Sequence, residues 1–236
     1  IGLKRCVLLG LSLLAGASFV GGFVHSFSAL LSLRVIEGFG FLLITLSGPA
    51  FIRQLVAVEQ LPAKMGLWSA YMGGGMGIGL LSTPFLLTIL DWQGVWMCLG
   101  LLSFALAIII YKAVPSVQIS TQAIAIFELI KSTLSHPPAW ILALVFGVYA
   151  GQWFSLVGFL PTIYQQYQIS LQTAGVFTAM VAMANAVGTF VCGLLLQRGL
   201  RAQVLMQMGF AVLMLCALSF YILRDVLPFI VQFLLV

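Results

Sequence analysis

Arg34 and Glu37 stand three residues apart in the apolar run Leu33-Arg34-Val35-Ile36-Glu37-Gly38-Phe39-Gly40. Only 6% of the chain is charged, and no other acid or base lies so far from a polar loop. A charge at bilayer depth costs about 2.5–3.5 kcal/mol on insertion scales, so such a residue usually faces a protein interior or a wet cavity. On a helix, positions i and i+3 share a face and can touch. Arg34 could attract an anionic solute there, and Glu37 could take up a proton. The competing account is an ion pair that neutralises itself and locks helix packing.

Other polar and aromatic groups fall at helical spacing. Trp68, Tyr71, Met72 and Gly75 form one stripe, and Tyr149, Gln152, Trp153 and Leu156 form another. Asn185, in Met183-Ala184-Asn185-Ala186, is a third neutral hydrogen-bonding group in an apolar run. If these faces line a cavity, their residues are substrate contacts. Otherwise the aromatics are interfacial anchors and the amides are glue between helices. His25 and His136 sit at or near loops and read as solvated. Metal chemistry or hydrolysis would need paired carboxylates, a Ser–His pair at helical depth or an HExxH run. The chain has none of these, so no catalytic residue, metal site or cofactor is expected.

The elements that must position these groups are membrane helices. Hydrophobic residues make up 62% of the 236, and mean hydropathy is +1.18. A soluble domain would be about 45–50% apolar and a quarter charged. With about 20 apolar residues per span, helices are expected over Cys6–Ser26, Phe27–Ile52, Gly66–Leu90, Gly94–Tyr111, Ala139–Tyr164, Leu171–Leu196 and Ala202–Leu223. An eighth run, Val226–Val236, is too short to span and stops at the last residue. With a start at Ile1-Gly2-Leu3, this reads as part of a longer chain. The cysteines at 6, 98, 192 and 216 lie in apolar runs without CxxC spacing and read as packing residues.

Charge sets the orientation. Lys4, Arg5, Arg53, Lys64, Lys112, Lys131, Arg198 and Arg201 all fall on one side of the alternating connections, leaving Arg34 within the membrane and Arg224 opposite. The positive-inside rule makes the first side cytoplasmic. The net charge of +5 therefore marks a lipid bilayer rather than nucleic acid as partner. Residues 114–138, with Pro115, an amphipathic piece over Ile124–Leu134 and His136-Pro137-Pro138, read as a cytoplasmic linker between bundles at 1–113 and 139–236. Gly73/Gly77 and Gly75/Gly79 have small-xxx-small spacing, which favours close helix packing over a hinge.

The two halves echo each other in short basic turns, Gly2-Leu3-Lys4-Arg5 and Arg198-Gly199-Leu200-Arg201. At this point the chain resembles the major facilitator superfamily of secondary transporters. Gly2-Leu3-Lys4-Arg5 looks like the tail of that family's basic motif between helices two and three. Arg34 with Gly38-Phe39-Gly40 looks like its fourth-helix motif, with Glu37 where Gln is usual. Asp91-Trp92-Gln93-Gly94-Val95-Trp96 is similar to the start of the sixth helix, with Gln93 replacing an Arg. Leu160-Pro161-Thr162-Ile163-Tyr164 and Thr173-Ala174-Gly175 are similar to the segment joining helices seven and eight. The resemblance covers the whole chain, as about helices three to ten of an all-α polytopic bundle. It implies alternating access around a central cavity.

Arg34 through Gly66-Leu67-Trp68 looks closest to the cyanate-permease-like branch of small-anion transporters. Gly66, Gly75 and Gly79 keep the spacing of an antiporter glycine motif, but Leu80, Thr83 and Pro84 replace its Pro and closing glycines. The expectation is a secondary transporter of a small organic solute, an anion, in a bacterial inner membrane, with proton coupling resting on Glu37. A drug/proton antiporter of the same fold is the alternative. A sensor with this fold and an intramembrane enzyme stand further off. Gly38, Gly40, Gly73, Gly75, Gly77 and Gly79 would serve packing or gating.

Overall fold

The computed structural model describes residues 2–115 and 126–223, and all regular structure among them is helical. The helices are α1 (Leu3–Gly21), α2 (Phe27–Leu55), α3 (Leu61–Ser69), α4 (Tyr71–Leu86), α5 (Trp92–Ala113), α6 (Ile126–Leu134), α7 (Pro137–Gln166), α8 (Leu171–Gln197) and α9 (Ala202–Leu223), with a short 3₁₀ turn at Val58–Gln60. Six of them, α1, α2, α5, α7, α8 and α9, are long and apolar enough to cross a membrane. The run Val226–Val236, Arg224 and residues 116–125 of the linker lie outside the described residues.

Polar residues begin several of these helices. Ser26 Oγ accepts from Ala29 N at 3.3 Å, Asp91 Oδ1 from Gly94 N at 2.7 Å and Ser170 Oγ from Thr173 N at 3.2 Å. Each side chain pairs a first-turn N–H that the helix itself leaves without an acceptor.

The expected single span over Gly66–Leu90 is corrected. Ala70 interrupts it, giving α3 and α4, and regular helix stops at Leu86. Glycines at 73, 74, 75, 77 and 79 weaken the helix by about 1 kcal/mol each relative to Ala. Pro84 then removes a backbone donor near the end.

The chain divides into two compact units, Ile1–Ser69 with Ile78–Ile119, and Ala70–Gly77 with Ser120–Val236. In the first, Val7, Leu11, Phe51 and Ala107 form the core, joined by Leu3, Leu8, Ile44, Ile110 and Val114. In the second, Leu160, Tyr164 and Ala174 pack with Leu156, Ile169, Phe177 and Val181, and the Tyr164 and Phe177 rings meet edge to face at 5.7 Å. Small residues dominate the buried set, Ala174, Ala179 and Ala182 among them, while large apolar ones such as Leu46 and Val35 point outward. That inversion suits a lipid solvent, where close backbone approach drives helix packing.

The close approaches are specific. A Cβ built on Gly10 would stand 2.6 Å from Gly40 O, and one on Gly100 would stand 3.0 Å from Ala15 O, so α1 meets both α2 and α5 backbone to backbone. Gly73 and Gly77 do the same toward α8, against Ala182 O at 2.5 Å and Ala179 O at 3.2 Å. Gly38, Gly75 and Gly79 have nothing within 4 Å.

The two basic turns differ in conformation. Gly2 is extended, whereas Gly199 has φ +92° and ends α8 with Gly199 N donating to Leu196 O and Leu200 N to Leu195 O. This is the helix-ending pattern that favours glycine. The same pattern ends α7, but with Gln168 at φ 60°. Helix α6 covers most of the amphipathic piece expected at Ile124–Leu134, and Trp140 Nε1 donates to its last carbonyl, Leu134 O, at 2.8 Å.

Candidate functional site

Helix α2 carries the charged pair. Arg34 lies seven residues, about 10 Å, inside the helix start at Phe27. Arg34 Nη2 donates to Glu37 Oε1 at 2.5 Å, as the three-residue spacing suggested. Two further helices complete the arrangement. Ser18 Oγ of α1 donates to the same Oε1 at 2.6 Å, and the Arg34 guanidinium lies 4.1 Å from the centroid of the Trp96 ring on α5. Trp96 is in turn braced edge to face by Trp92 at 5.2 Å.

The pair is asymmetric in exposure. The Glu37 side chain is 10% exposed and that of Arg34 is 39%. Both donors converge on Oε1, and among the described residues no protein group donates to Oε2. Among the described residues Arg34 Nε is buried without a partner, although the side chain as a whole is 39% exposed. A guanidinium that rests on an aromatic face in a partly exposed side chain has the chemistry to recognise a small anion.

A second polar group lies in the other unit. Asn185 Nδ2 of α8 donates to Tyr149 Oη of α7 at 3.0 Å, joining two residues expected to serve transport. Trp153, one turn after Tyr149, is half-buried with its Nε1 unpartnered among the described residues, while Gln152 is exposed. The expected stripe of Trp68, Tyr71, Met72 and Gly75 is interrupted at Ala70. Trp68 ends against Gly48 of α2, where any side chain larger than hydrogen would collide with its indole, and Tyr71 opens α4.

The basic turns take different parts. Lys4 Nζ donates to Tyr111 O at 2.8 Å and Val114 O at 2.5 Å, capping the carbonyl end of α5 with a cation. Arg5, Arg198 and Arg201 are exposed. At the end of α2 expected to be cytoplasmic, an open cleft of about 670 Å³ is lined by Pro49, Ala50, Arg53, Gln54, Leu61 and Met65. The sequence had not pointed to this cleft.

Ser18 and Trp96 are the contributors that sequence reasoning missed. Ser18 is one serine among many, and only the α1–α2 crossing at Gly10 and Gly40 selects it. Trp96 stood inside the quoted Asp91–Trp96 motif, but nothing in that motif tied it to Arg34.

The Major Facilitator Superfamily profile matches residues 1–236. The cyanate transport protein CynX of Escherichia coli (strain K12) is 25% identical over 203 residues, covering 86% of this chain and 52% of that protein. The chain thus spans about half the length of the curated relative it matches. No solved structure matches significantly. With an all-helical fold and six helices long and apolar enough to cross a membrane among its described residues, the chain is an integral multi-pass membrane protein and belongs to the Major Facilitator Superfamily.

Proposed function

We propose that the protein is a secondary active transporter that moves a small anion by alternating access, with Arg34 as its anion contact. One observation carries this reading. Seven residues inside a helix long and apolar enough to cross a membrane, Arg34 bonds Glu37 through Nη2, lies over Trp96 and keeps a side chain that is 39% exposed. The family and the relative's name point to transport rather than catalysis, and that name puts cyanate first among the anions to test.

Glu37 supports proton coupling in the same scheme. An anion joining a neutral ion pair leaves one uncompensated charge in a poorly solvated place, which is costly. A proton on Oε2, where no donor stands among the described residues, would restore neutrality. In this reading the bundles at 1–113 and 139–236 rock about the linker at 114–138, and the basic turns at Lys4-Arg5 and Arg198–Arg201 face the cytoplasm of a bacterial inner membrane.

Uptake of labelled cyanate into proteoliposomes, with and without an imposed pH gradient, tests both parts. Saturable uptake driven by the gradient is expected. Uptake indifferent to the gradient removes the proton, and uptake no greater than in empty liposomes removes the anion reading.

A further inference from the structure

The second unit holds hydrogen-bond donors that its own fold leaves unused. Tyr149 and Trp153 lie four residues apart on α7, on one face and about 6 Å apart along the axis. Tyr149 Oη accepts from Asn185 Nδ2 at 3.0 Å, and its own hydroxyl hydrogen has no protein acceptor among the described residues. Trp153 Nε1 is buried with no partner among the described residues, and an indole nitrogen can only donate. Native proteins rarely leave a buried donor unmade, so the vacancy asks for an acceptor.

The orientation of Asn185 sharpens the point. A methyl group at Gly73 would stand 2.9 Å from Asn185 Oδ1, so the carbonyl end of this amide faces the α4 backbone and its NH₂ end faces α7. Asn185 and Tyr149 are thus hydrogen-bonded, Trp153 follows Tyr149 by one turn on the same face of α7, and none of the three carries a formal charge. Such a group repels cations and has no full charge with which to hold a polyanion. A single negative charge, spread over acceptor atoms, is what neutral donors can hold and also release.

We propose that Tyr149, Trp153 and Asn185 form a binding site for a small monoanion, of the cyanate or carboxylate type. The assignment rests on the transport reading for the role of that anion, and on the unused donors for its chemistry. Gly73 belongs to the site by its size, because a larger residue would displace the Asn185 amide.

The test is ¹⁵N-indole NMR on the full-length protein in nanodiscs, titrated with sodium cyanate and sodium acetate against sodium chloride at matched ionic strength. The Trp153 signal is assigned by its loss in Trp153→Phe. A saturable shift of that signal with cyanate or acetate is expected, weakened about tenfold in apparent Kd by Tyr149→Phe. Asn185→Ala should weaken it similarly, and either variant counts only if the remaining indole signals keep their positions. If both variants misfold, the wild-type titration decides alone. A Trp153 signal that neither anion moves, as a fixed water in the site would leave it, overturns the proposal. So does a shift whose Kd is unchanged in both variants. Cyanate uptake measured in parallel separates the two readings: a saturable shift without uptake removes the transport reading and keeps the site, and uptake without a shift does the reverse.

Discussion

Ser18 on α1 and Arg34 on α2 donate to the same oxygen, Glu37 Oε1, at 2.6 and 2.5 Å. One carboxylate thereby joins two helices and holds a cation whose other side rests on Trp96 of α5. The ion pair and the helix packing are thus one arrangement.

Removing Glu37 should therefore damage stability more than removing Ser18. Glu37→Ala leaves a partly buried guanidinium without its counter-ion, a change that costs about 3–5 kcal/mol when a pair is fully buried and less here because Arg34 is 39% exposed. Ser18→Ala removes one bond to a charged group and should cost about 1.5–3 kcal/mol. Thermal melting in detergent orders the two, and a Ser18→Ala melt at or below that of Glu37→Ala contradicts the shared-oxygen arrangement.

Trp96 should matter through Arg34 rather than through bulk. Trp96→Leu keeps an apolar side chain but removes the aromatic face, a loss of about 0.5–2 kcal/mol. The expected outcome is a several-fold rise in the KM for the anion, with normal insertion and a modestly lower melting temperature. Trp96→Phe should recover part of it.

Two pairs of glycines with identical spacing should respond oppositely. Gly73→Leu forces a side chain into Ala182 and Asn185 of α8, and overpacking of this kind costs about 1–3 kcal/mol. Gly75→Leu points into open space and should cost no more than a surface change. Gly40 and Gly38 make the same contrast on α2, because only Gly40 faces Gly10. Folded yield after detergent extraction reads each pair.

These contrasts mark where the sequence stops being informative. The Arg34–Glu37 contact was legible because two charges in an apolar run, three apart, can reach each other on any helix. Ser18 and Trp96 were not, because their part depends on where α1 and α5 cross α2. Gly73/Gly77 and Gly75/Gly79 share one spacing, and only the neighbour on α8 distinguishes them. Hydropathy averaged over a span also conceals the interruption at Ala70, since one turn changes the mean very little. Gly2 and Gly199 sit in similar basic turns, yet of the two only Gly199 takes the left-handed backbone that favours glycine.

The end of α7 offers a stabilising substitution. Gln168 adopts φ 60° in a turn where Gly199 stands in the matching place after α8. A non-glycine residue there costs about 1–2 kcal/mol, partly offset by the greater freedom that glycine loses on folding. Gln168→Gly should raise stability by about 0.5–1 kcal/mol, visible as a higher melting temperature with transport unchanged.

The most direct test of the central claim is initial-rate uptake of labelled cyanate by proteoliposomes carrying the full-length protein or its Arg34→Gln variant, matched for inserted protein. Arg34→Gln keeps the length and a hydrogen-bonding end but removes the charge. The account predicts saturable uptake by the wild type and at least about a tenfold loss of kcat/KM in the variant, equivalent to about 1.4 kcal/mol. Equal uptake by the two proteins would contradict it, and would return Arg34 to a purely structural role.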